Sequence, residues 1–232
     1  MKLKDLSGIF KTHDLTFISS ENIANDYYVI TLEKPKILSY KAGEHGIFTL
    51  PGQKFKGKKF RAFSIASSDK ESKLILGTRT GKNMSSYKQT LINLKKGDIV
   101  KLRGPFGWFY EQDQETPMVF IALGVGITPF RALLKDMESS KKPVELIYSS
   151  MDTYMFNEEL DVLAKEHDNY HIIYTKDIFS TQDKIKEKIS TYGNKAYYYI
   201  SGSTKAIKAT KKLLKSNGIK RKRMINDPFF GY

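Results

Sequence analysis

The sequence contains no cysteine. Disulfides, thiolate zinc sites and iron–sulfur clusters held by thiolates are therefore excluded. Histidine is scarce, with four residues: His13, His45, His167 and His171. Only the last two are close together, and the turn-forming Asp168-Asn169-Tyr170 separates them, so no metal site is expected. No apolar run reaches the length of a membrane span; the best stretch, PMVFIALGVGITPF, is broken by glycine and proline. The opening residues, MKLKDLSGIFKTHD, lack the continuous apolar core of a secretion signal, which points to a cytoplasmic protein. There is no repeat of fixed period, no low-complexity segment and no nucleic-acid-binding signature.

Positive charge, by contrast, is abundant. The net charge is +14 over 232 residues, concentrated in KFKGKKFR (54–61), KATKKLLK (208–215) and KRKR (220–223). Most such charges belong to solvated surface, but their sum favours an acidic or phosphorylated partner. The length suits one large or two small domains.

Two rhythms divide the chain. Up to about Tyr110 the apolar runs are short. Tyr28, Ile30 and Leu32 alternate with Tyr27, Val29 and Thr31, and HGIFTL, FRAFSIA, KLILGTRT and DIVKLRG follow, separated by turn clusters. With one brief helix, SSYKQTLINL, this predicts a six-stranded antiparallel β-barrel. Beyond residues 111–116 strands alternate with helices. MVFIAL, VELIYS, YHIIYT and AYYYIS read as four buried strands, each followed by a helical pattern. That order predicts a Rossmann-like parallel sheet covered by helices. The expected domains are residues 1–112 and 113–232.

Each half holds a place suited to phosphate. In RAFSIASS, Arg61 and Phe63 share one face of a strand, Ala62 and Ser64 the other. Arginine can grip a phosphate with two parallel hydrogen bonds, and an aromatic nearby can cover a planar ring. The octapeptide alone also reads as an ordinary strand with one exposed arginine. GKNMSSY places Gly81 and two serines, Ser85 and Ser86, where a helix begins; Ser85 can cap the helix, meet an anion, or both. In the second half, GVGITPF follows a buried strand and opens a helix. Gly124 and Gly126 allow a tight turn, Thr128 can cap or touch phosphate, and Pro129 suits a first helical turn. The full dinucleotide fingerprint is absent, because Pro129 occupies the place of its third glycine.

The order RAFS, GKNMSSY, KKGDIVKLRGPFGWF, GVGITPF, ISGSTKAI resembles the ferredoxin–NADP reductase superfamily over nearly the whole chain. The resemblance implies FAD, with FMN the less favoured choice, and NADH or NADPH as co-substrate. In the superfamily's Arg-x-Tyr-Ser motif the arginine meets the flavin diphosphate, the aromatic packs on the isoalloxazine and the serine approaches its N5. These roles fall on Arg61, Phe63 and Ser64, with Ala62 between them; Phe63 replaces the usual tyrosine. Gly81, Met84, Ser85 and Ser86 match the diphosphate-binding segment, and Gly124, Gly126, Thr128 and Pro129 the nicotinamide nucleotide site. Relatives carry Cys-Gly-Pro where this chain has Ser201-Gly202-Ser203, with the cysteine near hydride transfer. Asp227 and Phe229 match a C-terminal Glu-x-Phe that lies on the flavin, and Tyr232 is the competing stacking residue. A tail that simply packs away its aromatics accounts for these residues equally well.

The resemblance thus implies hydride transfer from NAD(P)H to flavin, then electrons to a separate acceptor such as an acidic ferredoxin or flavodoxin. Asp152, following the second strand of the parallel sheet, disfavours the 2′-phosphate of NADPH, while Lys176, Lys205 and Lys208 can supply charge for it. Two other classes remain: a flavin-binding regulatory module without turnover, and a nucleic-acid binder using its lysines. The latter explains none of the glycine turns.

Overall fold

Alternating burial organises the first half. The computed structural model describes residues 3–227. A 3-10 turn over Leu3–Phe10 leads into β1 (Thr12–Ala24), β2 (Tyr27–Glu33), β3 (His45–Thr49), β4 (Phe60–Ser64), β5 (Lys73–Arg79), the short helix α1 (Ser86–Ile92) and β6 (Ile99–Phe106). The six strands form one sheet in the order β4-β3-β6-β1-β2-β5, with each pairing antiparallel. Its two edges meet where Ile65 bridges Leu76 and the Ala66 N–H donates to the Ile75 carbonyl at 2.8 Å. That contact closes the sheet into a barrel, which removes the exposed edges. Leu15, Phe17, Ile30, Leu32, Phe48, Leu76 and Leu102 belong to the apolar cluster, and α1 adds Tyr87 and Leu91 to it.

The second half reads β7 (Met118–Leu123), a 3-10 turn (Gly124–Ile127), α2 (Thr128–Asp136), β8 (Val144–Ser149), α3 (Asn157–Glu166), β9 (Tyr170–Thr175), α4 (Ile178–Tyr192), β10 (Tyr197–Ser201), α5 (Thr204–Ser216) and β11 (Met224–Asn226). The sheet order is β11-β10-β7-β8-β9, all parallel. The sequence suggests four strands here; the structure adds a fifth. Met224–Asn226 pairs with β10, Tyr198 opposite Met224 and Ile200 opposite Asn226. Three residues are too few to show a period, so pairing with a neighbour, not pattern, creates this strand.

Val119, Phe120 and Ile121 of β7 are fully buried. Each such side chain contributes about 1.5–3 kcal/mol over remaining exposed. The chain divides into two compact units between Tyr110 and Glu111. In the second unit it runs outward through β7, β8 and β9, then returns to lay β10 and β11 on the other side of β7. The sheet therefore switches direction between β7 and β10. Ligands of open parallel sheets bind at the carboxyl ends of the strands beside such a switch.

Candidate functional site

In the first unit, Arg61 leaves β4 half-exposed, its guanidinium carbon 5.3 Å from the centre of the Tyr87 ring. Nη1 donates to the Phe60 carbonyl at 2.8 Å and, more weakly, to that of Lys58 at 3.4 Å. These bonds steady the side chain and leave its other edge for a forked grip on an anion. The Tyr87 hydroxyl donates to the Phe48 carbonyl at 3.0 Å, and burial raises its pKa. Ser85 caps α1, accepting the Lys88 N–H at 3.3 Å. A capping hydroxyl still has its own proton to donate. Met84 is exposed and Ser86 half-exposed.

Beside them, Lys88 is buried and its Nζ donates to the Arg79 carbonyl at 2.6 Å. Burial first, then the charge of Arg61, lower its pKa to about 8, while Asp26 raises it. Asp26 accepts Arg79 Nε on both carboxylate oxygens at 3.0 Å. It also takes the Gly81 N–H at 2.9 Å. The Gly81 N–H is thus spent on Asp26, with Gly81 at φ 70°. A cleft of about 430 Å³ opens between residues 53–56 and the outer face of α1; Lys54, Lys56, Ser86 and Thr90 are among its lining.

At the end of β4, Ser64 stands directly opposite His45 on β3. Such pairs hold their Cβ atoms about 4.5–5.5 Å apart. His45 is buried, packs edge-on to Phe106 at 4.5 Å, and its Nδ1 has no hydrogen-bond partner among the described residues. Burial lowers its pKa to about 4, so the ring is neutral at pH 7. The folded value lies below the unfolded 6.5, so stability is fully present above pH 6.5 and lost as pH falls towards 4. Over that window the wild type should lose about 5 °C of melting temperature more than His45→Gln. Parallel melting curves would refute this assignment. Phe63 is 6 % exposed, its ring edge-on to Phe48 at 5.7 Å. The ring fills the barrel interior and leaves only a rim for packing on a flavin.

In the second unit the turns after β7 and β10 touch backbone to backbone. A Cβ on Gly126 would lie 2.3 Å from the Ser201 carbonyl oxygen, and one on Gly202 would lie 2.7 Å from the Leu123 Cβ. Gly124, at φ 60°, faces open space. Pro129 sits in the first turn of α2, but Thr128 does not cap it. Its hydroxyl donates to the Val125 carbonyl at 3.2 Å, and the residue is buried. Ser201 ends β10 with no exposed surface, its Oγ 3.1 Å from the Asp227 carboxylate. Asp227 is also buried, and its N–H donates to the Ile200 carbonyl at 3.0 Å. Its carboxylate is thus turned to Ser201 inside the second unit. Phe229 and Tyr232 lie outside the described residues.

No model of a protein family matches the chain. Over 126 residues it is 35 % identical to one component of the Na(+)-translocating NADH-quinone reductase of Shewanella putrefaciens, covering 47 % of this chain and 40 % of that one. It is 28 % identical to NADH-cytochrome b5 reductase 1 of Coccidioides immitis, covering 94 % of this chain and 77 % of the relative. Among solved structures, the ferredoxin-NADP+ reductase of Plasmodium falciparum superposes with a TM-score of 0.78 at 21 % identity, over 93 % of this chain and 95 % of that one. The cytochrome P450 reductase of Amycolatopsis gives 0.80 at 22 % identity, over 95 % and 71 %. The chain is thus similar in sequence to NADH-dependent reductases, and it shares the two-unit fold of the ferredoxin-NADP+ reductases.

It spans less than half the length of the quinone reductase component. The first unit gathers Arg61, Ser85, Ser86 and Met84 around the start of α1, and the second gathers Gly124, Gly126, Ser201 and Gly202 at the sheet switch. Sequence reasoning missed His45 and Lys88. A histidine inside the apolar alternation HGIF was the available signal for the first. Lys88 carried none, because a lysine on an amphipathic helix ordinarily reads as surface.

Proposed function

We propose that this chain is a flavoprotein reductase that takes reducing equivalents from NADH or NADPH and hands electrons to a separate protein acceptor. The observation that carries the reading is the meeting of Arg61, over the Tyr87 ring, with the Ser85 cap of α1. A guanidinium with a free edge and a hydroxyl with a proton to donate form a donor set fitted to a diphosphate. A bound flavin supplies the exchange between two-electron and one-electron chemistry.

The chain's own residues do the rest. Arg61 and Ser85 hold the diphosphate, and Met84 and Ser86 border it. The cleft beside α1, about 430 Å³, suits the adenosine half that FAD has and FMN lacks. Ser64, buried at the end of β4, stands opposite His45, which stays neutral at pH 7. Gly124, Gly126 and Gly202 bring backbone close to a nicotinamide nucleotide at the sheet switch. Ser201 keeps Asp227 in place there. Asp152 is exposed after β8, and its negative charge favours NADH over a 2′-phosphate. The relatives' names speak of quinone, cytochrome b5, ferredoxin and cytochrome P450. For this chain the net charge of +14 favours an acidic carrier such as ferredoxin or flavodoxin.

The visible absorption spectrum of the purified protein tests the reading. A yellow protein bleached anaerobically by NADH is expected. Bleaching by neither NADH nor NADPH would favour a regulatory flavin module, and a protein that takes up neither FAD nor FMN would overturn the reading.

A further inference from the structure

The Lys88 ammonium stands where several elements converge. Its backbone N–H rests on Ser85, its Nζ on the Arg79 carbonyl of β5, and its neighbour Tyr87 lies beneath the Arg61 guanidinium of β4. From the turn between β1 and β2, Asp26 reaches in, clamped on the Arg79 side chain and the Gly81 N–H. The charges of Arg61 and Asp26 both act on Lys88, the first against its charged form and the second for it. Three cations, Arg61, Arg79 and Lys88, gather here around the Asp26 carboxylate, a setting suited to a diphosphate. Asp26 bonds the Arg79 side chain and also favours the Lys88 charge. Arg61 and Lys88 press on one another, a like-charge pairing that a bound dianion would relieve.

We propose that Lys88 is a second phosphate-binding cation, acting beside Arg61 on the flavin diphosphate. The inference rests on the flavin reading above. It assigns a binding role to a buried lysine on the inner face of α1, and it makes flavin retention depend on pH. The charged form, held below pH 8, favours the dianion; the neutral form above it does not. Binding should therefore be strong at neutral pH and weaken in mild alkali.

The test is titration of flavin-stripped protein with FAD at pH 7 and pH 9, followed by flavin fluorescence. The wild-type Kd should rise roughly tenfold between the two. Lys88→Met should bind about tenfold more weakly at pH 7 and show no further loss at pH 9. Lys88→Arg, charged at both, should keep the neutral affinity and lose the pH dependence. Circular dichroism of each variant reports folding; if Lys88→Met does not fold, Lys88→Arg decides. Wild-type affinity at both pH values in Lys88→Met would overturn the role, as would an unaltered pH dependence in Lys88→Arg. If the wild type binds neither FAD nor FMN, the flavin reading fails, and this inference with it. If the wild type binds and the variants match it, only Lys88 loses its role.

Discussion

Arg61→Ala should release flavin while leaving the barrel folded. The substitution removes a charged donor pair aimed at a dianion, and charged hydrogen bonds are the strong ones. A Kd for FAD about 100-fold higher is expected, equivalent to about 2.7 kcal/mol. The fold should tolerate the change, because Arg61 is half-exposed and, among the described residues, its hydrogen bonds run to the nearby carbonyls of Phe60 and Lys58. Arg61→Lys should fall between, keeping charge but losing the planar fork. The readouts are flavin content on purification, FAD titration and the melting curve of flavin-stripped protein. Unchanged flavin content in Arg61→Ala would remove the diphosphate from this site.

The second large effect belongs to Gly126→Val. A Cβ there meets the Ser201 carbonyl carbon at 2.4 Å and the Gly202 nitrogen at 2.6 Å. Both are backbone, so nothing flexible can move aside. The carboxyl ends of β7 and β10 would have to part, at a cost of about 4 kcal/mol. Nicotinamide nucleotide binding should collapse, while flavin binding in the first unit persists. Gly124→Ala is the contrast: its strain at φ 60° is local and space is open, so the loss should be about 1 kcal/mol. NADH affinity, flavin content and thermal melts of the variants separate these outcomes. A Gly126→Val protein with ordinary NADH affinity would detach the nucleotide from the sheet switch.

What could be read in advance followed from burial on both faces. VELIYS and YHIIYT are strands over the same residues in the structure, Val144–Ser149 and Tyr170–Thr175. Each is apolar or β-branched through its middle and bounded by turn residues, so pattern sufficed. β1 escaped because only Leu15 and Phe17 of its length are buried; the rest faces outward and reads as loop. The cap at Ser85 was visible as serine before a helix. The fates of the Gly81 N–H and the Thr128 hydroxyl were not, because each depends on what a turn brings beside it. His45 and Lys88 belong to the same class. One is defined by the β3–β4 register, the other by the packing of α1 on the barrel. Periodicity carries information about faces and none about which polar group meets which.

β11 has a bearing on which strand edge this sheet leaves open. It occupies one side of β10, whose residues Tyr197–Ser201 are aromatic and aliphatic up to the final serine. Uncovered strands of that composition are templates for pairing with another molecule, with no charge or proline to discourage it. Three residues, Met224–Asn226, held further by the bonds of Asp227 to Ile200 and Ser201, are the guard. Proteolytic clipping between Arg223 and Met224 should leave Arg61 and Ser85 in place and uncover β10 as an apolar edge open to pairing with another molecule.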